Sequence, residues 1–211
     1  MSKTNTTRKE ANAYHHGNLR EAAIETALAM VKEVGIDAIT LRGLSEHLGT
    51  SRTAIYRHFE NKEALMQAVV AAGFERFEAV IRPVFLRADA DVLARFRQMG
   101  EAYLTFAVRN PELYRLLFGE SLRQEREAVC DLEDAERSGG FSSLVGLIEE
   151  GQAAGLFKTG DAFLQAATVW AMIHGFSLLI IDGHLLISDK VDPLFEAGID
   201  TLLNGLRAKP A

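Results

Sequence analysis

The sequence has few of the residues that interrupt helices or cross-link chains. It contains four prolines and one cysteine in 211 residues, so no internal disulfide can form and a reducing compartment is expected. Cys130 lies among charged residues with no evident activating partner, which favours an inert thiol over a nucleophile. The scarcity of proline, together with frequent alanine, leucine and glutamate, predicts a mostly helical protein.

Several functional signatures are also missing. No internal repeat or strand-like alternation stands out, and the polar segment MSKTNTTRKEANA (1–13) lacks the apolar core of a secretion signal. No nucleophile–base set, phosphate-binding loop or metal-ligand cluster occurs at a recognisable spacing. We therefore expect a cytoplasmic protein that is not an enzyme and has neither a cofactor nor a metal site.

One segment is apolar enough to raise the question of a membrane. AFLQAATVWAMIHGFSLLII (162–181) has twenty residues without a full charge, which is long enough to span a bilayer. However, Gln165, Thr168, His174 and Ser177 are spread through it, and no basic cluster marks a cytoplasmic flank. A buried helix of a soluble protein is therefore favoured over a span, and no membrane partner is expected.

Charge is distributed unevenly along the chain. The whole chain has a net charge of −6, yet residues 1–62 hold nine lysines and arginines against seven acids. Residues 63–211 hold 14 basic and 22 acidic residues. A mildly basic head on an acidic body indicates that one end is suited to a polyanion.

The first helix of the head has recognisable ends. Asn18 is a good N-cap, and Glu21 three residues later completes a capping-box pattern. Gly35 is a suitable C-terminal stop. Between them an apolar stripe recurs at helical spacing, which predicts the buried face: Ile24, Ala27, Leu28, Val31 and Val34.

Two short helices follow with little chain between them. Thr40 is the N-cap candidate of the first, Gly49 its terminator, and Ser51 the N-cap candidate of the second. Two short amphipathic helices joined by a turn of about three residues that contains glycine are typical of a helix-turn-helix.

The second of these helices, within SRTAIYRHFENK (51–62), has two distinct faces. At about 100° per residue, Ile55 and Phe59 point toward the core of the head. Thr53, Ala54 and Arg57 then lie on the opposite, outward arc. This arrangement suits a helix in the major groove, with small or hydrogen-bonding groups toward base edges and cations toward phosphates. The remaining polar groups flank the core stripe or follow it: Arg52, Tyr56, His58 and Lys62.

Similar signals divide the body. Asn61 caps a long helix, Asn110 precedes Pro111 at a helix start, and Asp161 caps the apolar segment. SGG (138–140) interrupts a helical stretch, and Asp192 with Pro193 opens a last helix. The resulting prediction is an all-α fold of roughly nine helices, three in the head and six in the body.

The segment TLRGLSEHLGTSRTAIYRHFENKEAL closely resembles the DNA-binding segment of the tetracycline-repressor-like (TetR/AcrR) transcriptional regulators. The resemblance covers about residues 18–66. YHHGNLR (14–20) and WAMIHG further resemble a subgroup whose ligand domain carries a Trp–His–Gly signature, here Trp170, His174 and Gly175. The marks shared in the head keep the spacing of these regulators: Thr40, Gly49, Ser51, Ile55, Tyr56, Phe59 and Lys62.

The resemblance implies a flexible polar arm (1–13), a helix-turn-helix domain (14–62) and a ligand-binding and dimerisation domain (63–211). It places DNA contacts at ten positions: Thr40, Arg42, Ser51, Arg52, Thr53, Ala54, Tyr56, Arg57, His58 and Lys62. Arg42, Ser51, Tyr56, His58 and Lys62 would hold phosphates. Arg52, Thr53 and Ala54 would read bases, and Arg57 could do either. Thr53 and Ala54 depart from the usual glycine or alanine and threonine, so the operator sequence is expected to differ from those of relatives.

The apolar segment 162–181 also bears on the body. Its stripes at Phe163, Ala167, Trp170, His174 and Ile181 and at Leu164, Ala171, Gly175 and Leu179 predict burial on several sides. His174 is either a core histidine satisfied by a backbone carbonyl or a group that orients a ligand. Pocket walls are expected at aromatic positions, although each could be plain core. The candidate ligand-binding residues are Phe77, Tyr103, Phe106, Tyr114, Phe118, Phe141, Trp170 and His174.

By resemblance, the chain is expected to form a homodimer on a palindromic double-stranded DNA operator. A small apolar or amphipathic effector would release it, as from a repressor. The eighth and ninth helices are the expected dimer interface, through Leu178, Leu179, Ile199, Leu202 and Leu206. Two alternatives stay open: an architectural or segregation protein whose body binds another protein, and an enzyme.

Overall fold

The computed structural model describes residues 19–87, 91–119, 139–185 and 191–207, and within these ranges the chain is all-α. These residues form nine helices. They are α1 (Leu19–Val34), α2 (Leu41–His47), α3 (Arg52–Tyr56), α4 (Lys62–Phe85), α5 (Val92–Arg109), α6 (Pro111–Phe118), α7 (Gly140–Ala153), α8 (Ala162–Ile181) and α9 (Val191–Leu206). An isolated β-bridge pairs Phe157 with Arg207.

The described chain divides into two compact units. The first contains residues 19–74 and 115–119, and the second contains residues 75–114, 139–185 and 191–207. The division falls inside α4, between Phe74 and Glu75, whereas the sequence analysis placed a domain boundary at the first residue of that helix. The predicted polar arm lies outside the described residues.

In the first unit, α1 buries most of the predicted stripe. Ile24, Ala27, Leu28 and Val31 are buried, as predicted, but Val34 is 55% exposed. Val34 is the last residue of α1, and Gly35 follows with a φ of +77°. Because the chain turns away at that left-handed glycine, the final turn of α1 extends past the core.

The predicted caps of the next three helices are confirmed. Thr40 Oγ1 accepts from the backbone N–H of Gly43 at 3.0 Å, and Ser51 Oγ accepts from that of Ala54 at 3.2 Å. Asn61 Oδ1 accepts from the backbone N–H of Ala64 at 2.8 Å. Each bond satisfies a donor that the helix itself cannot pair. The predicted cap Asn18 lies outside the described residues.

The second unit is organised around α5, against which α7, α8 and α9 pack. Gly100 permits the approach of α9, because a Cβ there would lie 3.0 Å from Ile199 Cδ1 and 3.1 Å from the Phe195 ring. The Arg97 guanidinium also donates to Glu196 at 2.6 Å and to Asp200 at 2.5 Å. These ion pairs join α5 to α9 on the rim of the apolar contact.

The ends of the helices in this unit agree with prediction in part. Asp161 Oδ1 caps α8 by accepting from Leu164 N–H at 3.1 Å, as predicted. Asn110 precedes α6, yet its side-chain amide donates to the Phe106 carbonyl at 3.0 Å and so closes α5. The start of α9 is Val191, one residue before the predicted cap. The interruption at SGG corresponds to the start of α7 at Gly140.

The apolar segment 162–181 forms α8, and one chain buries part of its surface. Its length and its mean hydropathy of 1.6 are compatible with a membrane span, which for one helix is weak evidence, and 22% of this apolar stretch is buried. One stripe faces α5 and α7, namely Ala166, Val169, Ile173 and Ser177. Leu164 is 62% exposed and Leu179 44% exposed. Within a single chain α8 is therefore buried along one stripe, and its burial on further sides, by a second subunit, stays a prediction.

Candidate functional site

The helix-turn-helix is closed by a glycine and a buried serine. Gly49 has a φ of +62°, which lets the chain leave α2 in a tight turn. Ser45 is 1% exposed; its hydroxyl donates to the Arg42 carbonyl at 2.7 Å, and its own carbonyl accepts from Thr50 N–H at 3.0 Å. The sequence analysis missed this residue, because a serine within an amphipathic helix gives no signal of burial on its own.

The second helix of the motif is shorter than predicted. Helix α3 ends at Tyr56, so Arg57, His58 and Phe59 follow it in a turn. The backbone N–H groups of His58 and Phe59 both donate to the Ile55 carbonyl, at 2.9 and 3.0 Å. This turn keeps Phe59 directed inward, and Ile55 and Phe59 are 0% and 2% exposed. The predicted inward pair is confirmed although the helix ends early.

Most of the predicted DNA-contacting residues are at the surface. Tyr56 is 55% exposed despite its aromatic ring. Ala54 is half-buried, and the others on and beside α3 are exposed: Ser51, Arg52, Thr53, Arg57 and His58. On α2 and its cap, Thr40 and Arg42 are exposed as well. A small, cationic and hydroxyl-bearing surface therefore surrounds α3, as the sequence predicted.

Lys62 differs from this group. It is half-buried, and its ammonium lies 3.5 Å from the Ile36 carbonyl and 3.4 Å from the Asp37 carbonyl, both in the loop after α1. These distances exceed those of strong hydrogen bonds. The lysine thus also braces the loop that precedes α2.

Arg42 has a partner on its own helix. Its Nε–H donates to Glu46 Oε1 at 2.8 Å, with 67% and 61% of the two side chains exposed. The Arg42 hydrogen bond, its charge and more weakly Arg52 hold the pKa of Glu46 below its usual value. The same pair raises the pKa of Arg42. Glu46 was missed in the sequence analysis, although the Arg-to-Glu spacing of four residues is a recognised helical pairing signal.

In the second unit, a hydrogen-bonded cluster of four residues joins three helices, and we call it the Tyr–His cluster. Trp170 Nε1–H donates to the Tyr103 hydroxyl at 3.1 Å, and the Tyr103 and Tyr114 hydroxyls are 2.9 Å apart. The Tyr114 hydroxyl lies 2.6 Å from His174 Nδ1. His174 thus has tyrosine partners on α5 and α6, which no local sequence signal could reveal.

Burial dominates the electrostatics of the Tyr–His cluster. Desolvation raises the pKa of Tyr103 to about 12, against the opposing effect of its hydrogen bonds with Tyr114 and Trp170. Desolvation, followed by the neighbouring Tyr103, raises the pKa of Tyr114 well above its usual value. Both hydroxyls therefore stay protonated at physiological pH and can act as hydrogen-bond donors.

The predicted ligand-binding aromatics extend this cluster, with one exception. Phe77 lies edge-on to Tyr103 and to Phe106, with ring centroids 5.2 and 5.1 Å apart. Phe141 lies edge-on to Trp170 at 5.9 Å. Phe118 is instead in the first unit, where its ring meets Phe74 at 5.7 Å. Seven of the eight predicted residues therefore form one connected aromatic group.

An open depression of about 360 Å³ lies beside this group, between α7 and α8. Phe141 is the predicted ligand residue among its lining side chains. The full lining is Phe141, Ser142, Val145, Gly146, Glu149 and Phe163. Tyr103 and Tyr114, by contrast, are buried among their own partners.

The predicted interface residues differ in accessibility. Ile199 is 3% exposed and packs toward Gly100 within its own chain. Leu178, Leu202 and Leu206 are half-buried, and Leu179 is exposed. An apolar surface therefore remains on α8 and α9 after the described chain has folded, but Ile199 contributes little to it.

Comparison with known protein families identifies the family to which this all-α chain belongs. The family model for bacterial regulatory proteins, tetR family, matches residues 23–69. The model described as tetracyclin repressor-like, C-terminal domain, matches residues 96–202. The chain belongs to the tetR family. Its helix-turn-helix, formed by α2 and α3, lies within the part matched by the model for bacterial regulatory proteins.

Individual relatives agree with this assignment. The nucleoid occlusion factor SlmA of Vibrio cholerae is 32% identical over 115 residues, 54% of this chain and 58% of that protein. The chain therefore spans little more than half the length of such curated relatives. The tetracycline repressor protein class C of Escherichia coli is 47% identical over 53 residues, 25% of this chain and 24% of the repressor.

Solved structures extend the likeness to nearly the whole chain. A protein of unknown function from Rhodococcus sp. RHA1 is 32% identical, with a TM-score of 0.77 over 92% of this chain and 98% of that one. The fatty acid degradation regulator FadR of Bacillus halodurans is 19% identical, with a TM-score of 0.69 over 90% and 97%. At that identity the second likeness concerns the fold alone.

Proposed function

We propose that this tetR-family protein is a homodimeric repressor that binds a palindromic operator in the cytoplasm and leaves it when a small apolar or amphipathic molecule binds the second unit. It acts by binding and not as an enzyme. The observation that carries the proposal is the surface around α3, where exposed cationic and hydroxyl groups surround an inward Ile55–Phe59 pair. Such a surface fits a helix presented to the major groove.

The proposed DNA contacts fall into two classes. Arg42, Ser51, Tyr56 and His58 hold phosphates, with Thr40 at the start of α2 and Lys62 at the start of α4 beside them. Arg52, Thr53 and Ala54 read base edges, and Arg57 serves either role. Phosphate contacts supply affinity for any sequence, whereas base contacts supply discrimination. Lys62 contributes less than the others, because its ammonium also faces two backbone carbonyls.

The proposed sensor is the aromatic group of the second unit. It combines apolar walls with a few oriented polar groups, which is the usual composition of a small-molecule site. The hydroxyl chain from Trp170 to His174 supplies those polar groups, and Phe141 connects them to the depression between α7 and α8. A ligand releases DNA only if it binds the released state more tightly than the DNA-bound state.

Dimerisation is proposed through the apolar surface of α8 and α9. Leu164 and Leu179 are exposed on a helix without a full charge, and large apolar side chains exposed in this way favour a partner surface. A two-fold dimer would read two half-sites about one turn of DNA apart or somewhat more. Trp170, His174 and Gly175 support placement in the subgroup with a Trp–His–Gly ligand domain.

The test is a selection of bound genomic DNA fragments by the purified protein, followed by footprinting on the enriched site. The expected result is one site with dyad symmetry, protected over both halves. Enrichment without dyad symmetry would contradict the dimeric repressor. The genes beside the site then indicate which small molecules to add, and release of the DNA fragment by one of them is the expected response.

The relatives named nucleoid occlusion factor support a second candidate, a DNA-binding protein with an architectural or segregation role. In this alternative the body binds a protein instead of a metabolite. The two candidates differ in the number of sites on the chromosome. Many dispersed sites, and DNA binding unaffected by metabolites, would favour the second. One or a few sites beside regulated genes would favour the repressor.

A further inference from the structure

The ion pair on α2 lies within the proposed DNA-binding surface. Arg42 and Glu46 are one helical turn apart, and Arg42 Nε–H donates to Glu46 Oε1 at 2.8 Å. More than half of each side chain is exposed. A pair this exposed contributes little to folding, so its stability alone gives no reason for the arrangement.

Arg42 contacts Glu46 through Nε, and this determines which of its donors remain for other contacts. A guanidinium carries five N–H donors, one on Nε and four on the two terminal nitrogens. Because Glu46 is bonded through Nε, it fixes the plane of the group at one edge. The terminal nitrogens form the fork that matches two oxygens of a phosphate. The bond therefore orients the cation through a donor that a fork-shaped phosphate contact would not need.

The negative charge of Glu46 also lowers the affinity for DNA. Because Glu46 is bonded to Arg42, a proposed phosphate contact of Arg42 brings the carboxylate near phosphates, and like charges repel. Arg52 at the start of α3 acts on the same carboxylate and offsets part of that repulsion. The charge of Glu46 and its role as a hydrogen-bond acceptor thus have opposite effects on affinity, and substitutions can separate them.

We propose that Glu46 is a positioning residue for DNA binding, which holds the Arg42 guanidinium so that its terminal nitrogens face a phosphate. The inference rests on the proposed function, in which Arg42 is a phosphate contact. Glu46 itself touches no DNA in this arrangement. Its contribution comes from reduced freedom of the Arg42 side chain, which otherwise loses rotamer entropy on binding.

The test compares Glu46→Gln with Glu46→Leu. Both variants remove the same charge, but glutamine keeps an oxygen that can accept from Arg42 Nε–H. The probe is a mixed-sequence duplex of about 30 base pairs, measured by fluorescence anisotropy, because a phosphate contact does not depend on sequence. The expected result is that Glu46→Gln binds about twofold to threefold more tightly than Glu46→Leu.

The matched control repeats both substitutions in an Arg42→Ala background, where the difference should disappear. A difference that persists there, or equal affinity of the two single variants, overturns the inference. Arg42→Ala itself should reduce the slope of log affinity against log salt by about 0.9. If Arg42→Ala changes neither affinity nor slope, the proposed phosphate contact of Arg42 fails instead.

Thermal unfolding of each variant separates these results from misfolding. Glutamine and leucine are both good helix formers, and the site is exposed, so equal melting temperatures are expected. If Glu46→Leu melts lower, Glu46→Met removes the acceptor in its place. Equal affinity of Glu46→Gln and Glu46→Met would overturn the inference in the same way.

Discussion

Thr53 and Tyr56 are both exposed residues of α3, but their side chains suit different contacts. Thr53 offers a methyl and a hydroxyl on a short stem, which fits the edge of a base. Tyr56 extends a hydroxyl on a rigid ring, which fits a phosphate oxygen. The distinction predicts two kinds of mutant behaviour.

Substitution of the two hydroxyls should separate affinity from discrimination. Tyr56→Phe should weaken binding to the selected operator and to random DNA alike, by about 0.5–1.5 kcal/mol for one lost hydrogen bond. Thr53→Val should weaken operator binding by about 1 kcal/mol and leave random DNA unchanged. The measurement is a titration of each variant against both duplexes. Equal losses on both duplexes for both variants would refute the division.

The buried Tyr103 predicts instability in alkali. Its pKa is raised to about 12 from an ordinary value of 10.0, so the folded state keeps the proton that the unfolded state has lost. The resulting stabilisation is complete below pH 10 and is lost as the pH rises from 10 through about 12. Urea unfolding at intervals across this range should show a falling midpoint.

Tyr103→Phe is the matched variant for that experiment. It should be less stable at neutral pH by about 1 kcal/mol, because it leaves Trp170 Nε1–H without its Tyr103 acceptor. Its midpoint should fall less steeply above pH 10. Some slope should remain, because burial also raises the pKa of Tyr114. An unchanged slope would show that Tyr103 is not the group that titrates.

At the scale of single elements, local signals predicted helix starts well. Thr40, Ser51, Asn61 and Asp161 all cap as expected, because a cap is decided within four residues. Buried faces were less predictable than helix boundaries, since Gly35 and Gly49 ended α1 and α2 as expected. Val34 continued a perfect apolar stripe yet is exposed, since whether a stripe is covered depends on segments distant in sequence.

The two candidate sites also differ in how well the sequence predicted them. The exposed groups around α3 followed from periodicity, because the inward Ile55 and Phe59 determine which residues face outward. The hydrogen bonds of the Tyr–His cluster could not be predicted from periodicity, because Tyr103, Tyr114 and His174 belong to different helices. Composition could suggest aromatic walls there, but not which hydroxyl meets which ring nitrogen.

Two glycines of α7 give a prediction about that helix. A Cβ on Gly151 would overlap the buried ring of Phe157, whereas a Cβ on Gly146 would meet nothing within 4 Å. Gly151→Ala should therefore destabilise the protein by about 1–3 kcal/mol through overpacking. Gly146→Ala should stabilise it by about 0.5–1 kcal/mol, since alanine favours a helix over glycine.

Chemical denaturation of the two alanine variants against the parent measures both effects. The two variants control for each other, because both replace glycine by alanine in the same helix. A loss of stability in both variants would show that α7 tolerates no added methyl group. A gain in both would show that the contact between Gly151 and Phe157 relaxes without cost.

At the scale of the whole molecule, the apolar character of α8 exceeds what one chain buries. Only 22% of its apolar stretch is buried, and Leu179 is 44% exposed. Because much of the exposed surface of α8 is apolar, its length and composition alone make it resemble a membrane span. A second copy of the chain covering this face is the arrangement that the proposed dimer supplies.

A charge placed on this face should break the dimer. Leu179→Glu should sediment as a monomer and bind the operator at least about tenfold more weakly, because one head reads one half-site. Leu86→Glu is the matched control, since Leu86 is 70% exposed at the end of α4 and lies outside α8 and α9. The control should remain dimeric. Sedimentation velocity reads the assembly, and a dimeric Leu179→Glu would exclude this face as the interface.

The shortness of α3 has a consequence for how a new regulator could be made. Five residues cannot hold a helix alone, so the conformation depends on the Ser51 cap and the two inward side chains. Arg52, Thr53 and Ala54 are neither the cap nor the inward side chains. A library randomised at these three adjacent codons should therefore yield folded proteins with altered operator preference, and the head would serve as a fixed frame for an exchangeable reading segment.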